Sequence, residues 1–345
     1  MTLQLGLALG YWGAQPPPAA QLVELARSAE QLGYDSVFSA EAWGSDAFTP
    51  LAWIGAHTSR IRLGTGIVQI SARTPASTAM HALTLDHLSG GRVILGLGVS
   101  GPQVVEGWYG RPFAKPLSRT REYIDIVRQI LAREQPVSCD GEHYPLPYRG
   151  PGSWGLGKPL RSITHPLRSD LPIFLGAEGP KNVALAAEIC DGWLPLYYSA
   201  FDESVYADSL RGRRPDFEIV YPTTLTETRS DDEAELAKAL APIKQRLAFY
   251  VGGMGAAKRN FHRELMARMG YEQESLRIQE RFLEGDRAGA VAAVPDRFAD
   301  DLSLVGTASR IRERLQAWRA SKVTQLLIGA GSAGELRRNA ELVLG

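Results

Sequence analysis

Apolar positions recur along the chain in two alternating rhythms. Short runs at residues 3–9, 36–38, 63–70, 93–97, 171–175, 192–196, 217–226 and 323–328 have the length of strands. Between them the apolar residues fall three or four apart. Leu22, Leu25, Ala26, Ala29 and Leu32 make one such stripe, and Ile124, Val127, Ile130 and Leu131 another. This spacing predicts helices near 22–32, 51–57, 75–88, 115–133, 180–188, 306–318 and 335–344. Pro75 suits the first turn of the third helix, and Ser89-Gly90-Gly91 ends it. Residues 62–101 read as strand, helix, strand, a crossover that makes its two strands parallel. Eight strands alternating with helices predict a closed (β/α)8 TIM barrel, a single domain over 1–345, rather than an open doubly wound sheet. The absence of any GxxxxGK[ST] points the same way.

Two stretches break the rhythm. Residues 135–170 are rich in Gly and Pro and read as an irregular excursion. Residues 231–300 read as a mostly helical insertion. Within it the apolar patch 247–251, broken by Gly252-Gly253, suits either a pocket lining or a subunit contact. Glycines also stand where the third and fourth strands should end, at Gly64, Gly66, Gly96, Gly98 and Gly101. A strand interior seldom takes glycine without a bulge or a close ligand approach, and barrels bind ligands at the carboxyl ends of their strands.

Composition narrows the partners. Lys and Arg total 38 and Asp and Glu total 38, so the formal net charge is zero. That removes the electrostatic reason for nucleic acid or an anionic membrane surface. Two cysteines, Cys139 and Cys190, make no disulfide framework and fit a cytoplasmic protein. The first residues have no basic region ahead of their apolar run, so no signal peptide is expected. No stretch has the length of a membrane span. No His, Cys and carboxylate set has metal-ligand spacing, and neither Ser71 nor Ser100 sits in a GxSxG turn.

Several blocks in register carry a resemblance. Gly33-Tyr34-Asp35-Ser36-Val37-Phe38, Leu63-Gly64-Thr65-Gly66-Ile67 and Leu85-Asp86-His87-Leu88-Ser89-Gly90-Gly91-Arg92 are three of them. Gly176-Ala177-Glu178-Gly179-Pro180 and Ala187-Glu188-Ile189-Cys190-Asp191-Gly192-Trp193 follow in the same order. Together they resemble the bacterial luciferase-like superfamily, whose fold is a (β/α)8 barrel. Within it the chain is similar to the oxidoreductases that use the deazaflavin coenzyme F420, more than to the FMN-dependent monooxygenases.

The resemblance implies that Thr65-Gly66-Ile67 lies against the deazaflavin ring, with a bulge and a non-proline cis peptide at Gly66-Ile67. It places Val99-Ser100-Gly101 and Ala177-Glu178-Gly179 beside the coenzyme's polar tail, where free backbone N–H groups favour phosphate. An acidic Glu178 there needs a compensating cation such as Lys181. Glu41 stands where the family has an acidic residue followed by a histidine, but Ala42 takes the histidine's place. Since alanine moves no proton, either Glu41 is the candidate acid or base or proton transfer comes from elsewhere. Tyr11, Trp12 and Trp43 are candidates for the substrate pocket wall. Glu106 receives no catalytic role, and His81 and His87 read as packing or surface residues. The implied function is hydride transfer between F420 and a small organic substrate, by a homodimer or higher homo-oligomer. The alternatives are an FMN-dependent monooxygenase and a barrel that binds coenzyme without catalysis.

Overall fold

A computed structural model describes residues 2–254 and 260–345. Eight parallel strands form a closed ring: β1 (Gln4–Gly10), β2 (Ser36–Ser39), β3 (Arg62–Thr65), β5 (Val93–Gly98), β6 (Ile173–Gly176), β7 (Gly192–Leu194), β8 (Glu218–Thr223) and β11 (Gln325–Ile328). They pair in the order β3-β2-β1-β11-β8-β7-β6-β5, and β3 pairs with β5 to close the barrel. The short β4 (Val68–Gln69) continues β3 past a break at Gly66-Ile67 and pairs with Leu97 and Gly98 of β5.

Helices α1 (Ala19–Gln31), α2 (Phe48–Gly55), α3 (Pro75–Ser89), α4 (Pro102–Gly107), α5 (Pro116–Ala132) and α6 (Pro180–Ile189) fill the first part of the outer layer. The insertion holds α7 (Glu233–Gly253), α8 (Phe261–Met266), α9 (Glu272–Leu283), α10 (Arg287–Ala292) and α11 (Asp296–Asp301). Helices α12 (Ala308–Ala320) and α13 (Ala333–Val343) complete the ring. Residues 135–170 contain no helix or strand, only isolated bridges such as Val137 with Leu160.

Three expectations need correction. The run 217–226 is not one strand. The chain leaves the barrel after Thr223, and β9 (Leu225–Glu227) pairs instead with β10 (Leu304–Gly306) in a separate ribbon. Gly306 is consequently the end of β10, with φ +136, and α12 starts only at Ala308, capped by the Thr307 hydroxyl. Gly252 and Gly253 do not break the apolar patch. Helix α7 runs through both because Phe282 packs there, and a Cβ on Gly252 would stand 2.4 Å from it.

Apolar side chains form two shells. The larger lies between strands and helices, and the smaller, inside the barrel, is Phe38, Ile94, Phe174, Leu194, Val220 and Leu327. Glycine makes room for the inner aromatics. A Cβ on Gly64 would lie 2.4 Å from the Phe38 ring, and one on Gly192 2.6 Å from Phe174. Gly64 thus serves packing, whereas Gly66 belongs to the bulge. Each fully buried aromatic contributes about 1.5–3 kcal/mol.

Candidate active site

Above the inner apolar shell, at the carboxyl ends of the strands, lies a cavity of about 1340 Å³. Its floor is the top of that shell, with Phe38, Leu194 and Leu327 joined by Ala8 and Ile67. The Gly66-Ile67 peptide bond is cis. Ile67 is lodged between two glycines: a Cβ on Gly98 would come within 2.8 Å of its Cδ1, and one on Gly176 within 3.0 Å of its Cγ2. The sequence therefore builds an apolar shelf by pairing one branched side chain with two residues that have none.

Glu41 braces this shelf. Its backbone N–H donates to the Ile67 carbonyl at 3.1 Å, and its Oε1 accepts the Gln69 N–H at 2.9 Å. Its Oε2 pairs with Arg73 at 2.6 Å, and Arg73 also reaches Asp46 at 2.7 Å. With a side chain only 3% exposed, the carboxylate is fully engaged.

The opposite wall is polar and less tightly paired. Glu178 follows β6, and its Oε2 lies 2.8 Å from Nδ1 of His262 on α8. The two atoms are close but not aligned as a hydrogen bond, and neither has another partner. The Glu178 carbonyl accepts from Arg268 at 3.0 Å. Tyr197, after β7, buries a hydroxyl with no partner. Burial pushes its phenol well above the ordinary value, and the Glu178 carboxylate and Tyr250 push the same way. Gln69 Oε1 and Asn182 Oδ1 are likewise buried and unpaired at the cavity. Gly179 caps α6, and a Cβ there would meet nothing within 4 Å, so backbone is open to a ligand. Among the described residues no group of three His, Cys, Asp or Glu could hold a metal ion.

The family described as luciferase-like monooxygenase matches residues 6–325. The chain belongs to this family. A Mycobacterium tuberculosis relative, provisionally named a coenzyme F420-dependent oxidoreductase, is 55% identical over 350 residues and 99% of both chains. In structure the chain resembles the coenzyme F420-dependent tetrahydromethanopterin reductase from Methanopyrus kandleri (TM-score 0.79, 22% identity, covering 100% and 99% of the two chains). It also resembles an F420-dependent secondary alcohol dehydrogenase solved with an F420-acetone adduct (TM-score 0.73, 15% identity, 100% and 99%). These two likenesses establish the shared barrel fold.

Among the residues singled out from the sequence, Gly66, Ile67, Val99, Ser100, Gly101, Ala177, Glu178, Gly179, Glu41, Tyr11 and Trp43 all line the cavity. Thr65 and Trp12 do not. Thr65 is wholly buried, and its hydroxyl bridges the Gly96 N–H and carbonyl at 2.8 Å each, tying β3 to β5. Trp12 stands outside the lining, its N–H donating to Ser45 Oγ at 3.0 Å. Glu178 turns toward His262 rather than depending on Lys181. Sequence reasoning missed His262, Tyr197 and Arg268. No motif marks them, and only folding of the insertion over the barrel mouth brings α8 to β6 and β7. Of the patch 247–251, Leu247 and Tyr250 line the cavity.

Proposed function

We propose that the protein is a coenzyme F420-dependent oxidoreductase that moves a hydride between the deazaflavin and an organic substrate. The observation that carries this reading is the Gly66-Ile67 shelf, an apolar, braced surface on which a flat ring can lie inside a large cavity. The name of the Mycobacterium tuberculosis relative supports the choice of coenzyme. The residues present fit the group. Gln69 and Asn182 offer unpaired polar atoms, and the N-terminus of α6 offers free N–H groups beside Lys181 and Arg268. When bound, the deazaflavin supplies the hydride chemistry.

Ile67 would support the face of the ring, and Glu41, paired with Arg73, braces Ile67 through its backbone N–H. Val99-Ser100-Gly101 and Ala177-Glu178-Gly179 would receive the tail. Tyr11 and Trp43, both about half exposed, form the rim on the substrate side. Exposed apolar side chains at Trp154, Leu156, Leu160 and Ile163 of the excursion support a homo-oligomer, which light scattering on the purified protein would measure.

Fluorescence titration with F420 and, separately, FMN tests the coenzyme. Micromolar or tighter binding of F420 alone supports the reading. A preference for FMN overturns it in favour of a monooxygenase, which oxygen consumption with reduced FMN would then reveal.

A further inference from the structure

We propose that His262, oriented by Glu178 and accompanied by the Tyr197 hydroxyl, is the proton-transfer site of this cavity. Its substrate would be an alcohol or carbonyl compound whose oxygen these groups recognise. The inference rests on the hydride-transfer reading above and deepens it. Ala42 leaves the end of β2 without a proton carrier, and Glu41 is spent on Arg73 and the Gln69 N–H. His262 and Tyr197 bring hydrogen-bonding side chains to the cavity's far wall. The Tyr197 hydroxyl is buried without a partner, and a ligand oxygen would satisfy it.

The histidine is held in place from both sides. Asn260, wholly buried, accepts the His262 and Arg263 N–H groups at 3.0 Å each and donates to the Val251 carbonyl at 2.7 Å. This pins the start of α8 to the end of α7. The Tyr250 ring stands edge-on to the imidazole at 5.1 Å, and the Tyr197 ring lies 6.3 Å away. With Nδ1 turned to Glu178, Nε2 is left for substrate, the arrangement of a base with its orienting carboxylate. The charged and titratable side chains lining the cavity besides His262 are Tyr11, Glu41, Glu178, Lys181, Tyr197, Tyr221, Arg246, Tyr250, Glu264 and Arg268. Burial keeps Tyr197 and Tyr250 protonated, so both act only as neutral hydroxyls. In alcohol oxidation the O–H proton passes to His262 Nε2. The C–H electron pair leaves with its hydrogen as hydride to the deazaflavin, and the carbonyl π bond forms. Reduction runs the same steps backwards.

The test uses the full-length protein with labelled histidine ring carbons, the His262 signal assigned by its loss in H262Q. Cyclohexanol, cyclohexanone, benzyl alcohol and acetophenone are titrated in, with methylcyclohexane and toluene as oxygen-free controls, both with and without F420. The expected result is a shift of the His262 signal by an oxygen-bearing probe and by neither control. No shift from any probe, or an equal shift from a control, overturns the proposal. With the binding probe as substrate, H262Q should lose about 100-fold or more in kcat, together with the pH limb of the imidazole, while F420 affinity stays unchanged. Y197F should raise KM more than it lowers kcat. An unaltered kcat and pH profile in H262Q would also overturn it. Failure of the wild type to bind F420 would strike the coenzyme reading alone, because the coenzyme-free titration still judges His262.

Discussion

At the amino ends of the strands, Arg62 donates to Asp35 and Glu218, while Gln325 donates to Asp35 and accepts from Ser36. None of these residues keeps a buried atom without a partner. At the carboxyl ends, Gln69, Asn182 and Tyr197 each keep one. Both ends belong to one barrel and share its strands, so the difference is not one of fold. A saturated polar layer rigidifies its end, whereas unpaired atoms around a cavity mark where a ligand completes the structure. The contrast matches the rule that barrels keep stability at one face and chemistry at the other.

Breaking the saturated end should have the largest effect. Arg62→Ala leaves two carboxylates, each about a quarter exposed, without their cation. The expected loss is on the order of 3 kcal/mol in urea unfolding, with F420 affinity of the folded fraction unchanged. Gly98→Ala attacks the other end through packing, driving a Cβ to 2.8 Å from Ile67. It should cost about 1–3 kcal/mol and weaken F420 binding by about tenfold, as read by fluorescence. Equal loss of stability with undiminished coenzyme binding would detach Ile67 from the ring site.

Smaller effects sharpen the comparison. Burial alone would raise the Glu30 carboxyl, but the Ile61, Arg60 and Ser59 N–H groups outweigh it and hold it down at about 2 against an ordinary 4.5. Because the folded value is the lower one, this clamp stabilises fully above 4.5 and fades as pH falls toward about 2. Urea midpoints across that window should fall less steeply in Glu30→Gln than in the wild type. Tyr197→Phe should have the smallest effect on stability, with a sign opposite to Arg62→Ala. Removing an unpaired buried hydroxyl is neutral or stabilising by up to about 1 kcal/mol. A clear destabilisation would mean that the hydroxyl is already satisfied in the free protein.

The strands and most helices were legible because their burial is local and periodic. A residue such as Leu5 or Ile124 announces its face by spacing alone. The shelf was legible through likeness to a family, which pointed to Gly66 and Ile67 from their neighbours. Thr65 misled for a physical reason. A hydroxyl beside a ligand shelf reads the same whether it faces ligand or, as here, ties two strands together. Glu41 was placed at the cavity correctly, but its pairing with Arg73 depends on a loop contact that no spacing encodes. Trp12 shows the same limit, since neighbours along a loop need not face one cavity.

By itself the sequence determined the alternation of strand and helix, the closed barrel, the zero net charge and the glycine-lined edge that borders the cavity. These follow from short-range pattern, which each segment carries alone. Tertiary structure alone decided which polar groups meet there. Glu178, Tyr197 and His262 sit on three separate elements, and only packing of the helical insertion over the strand ends brings them together. Periodicity tells a side chain to be buried or exposed, but not which distant residue it will face.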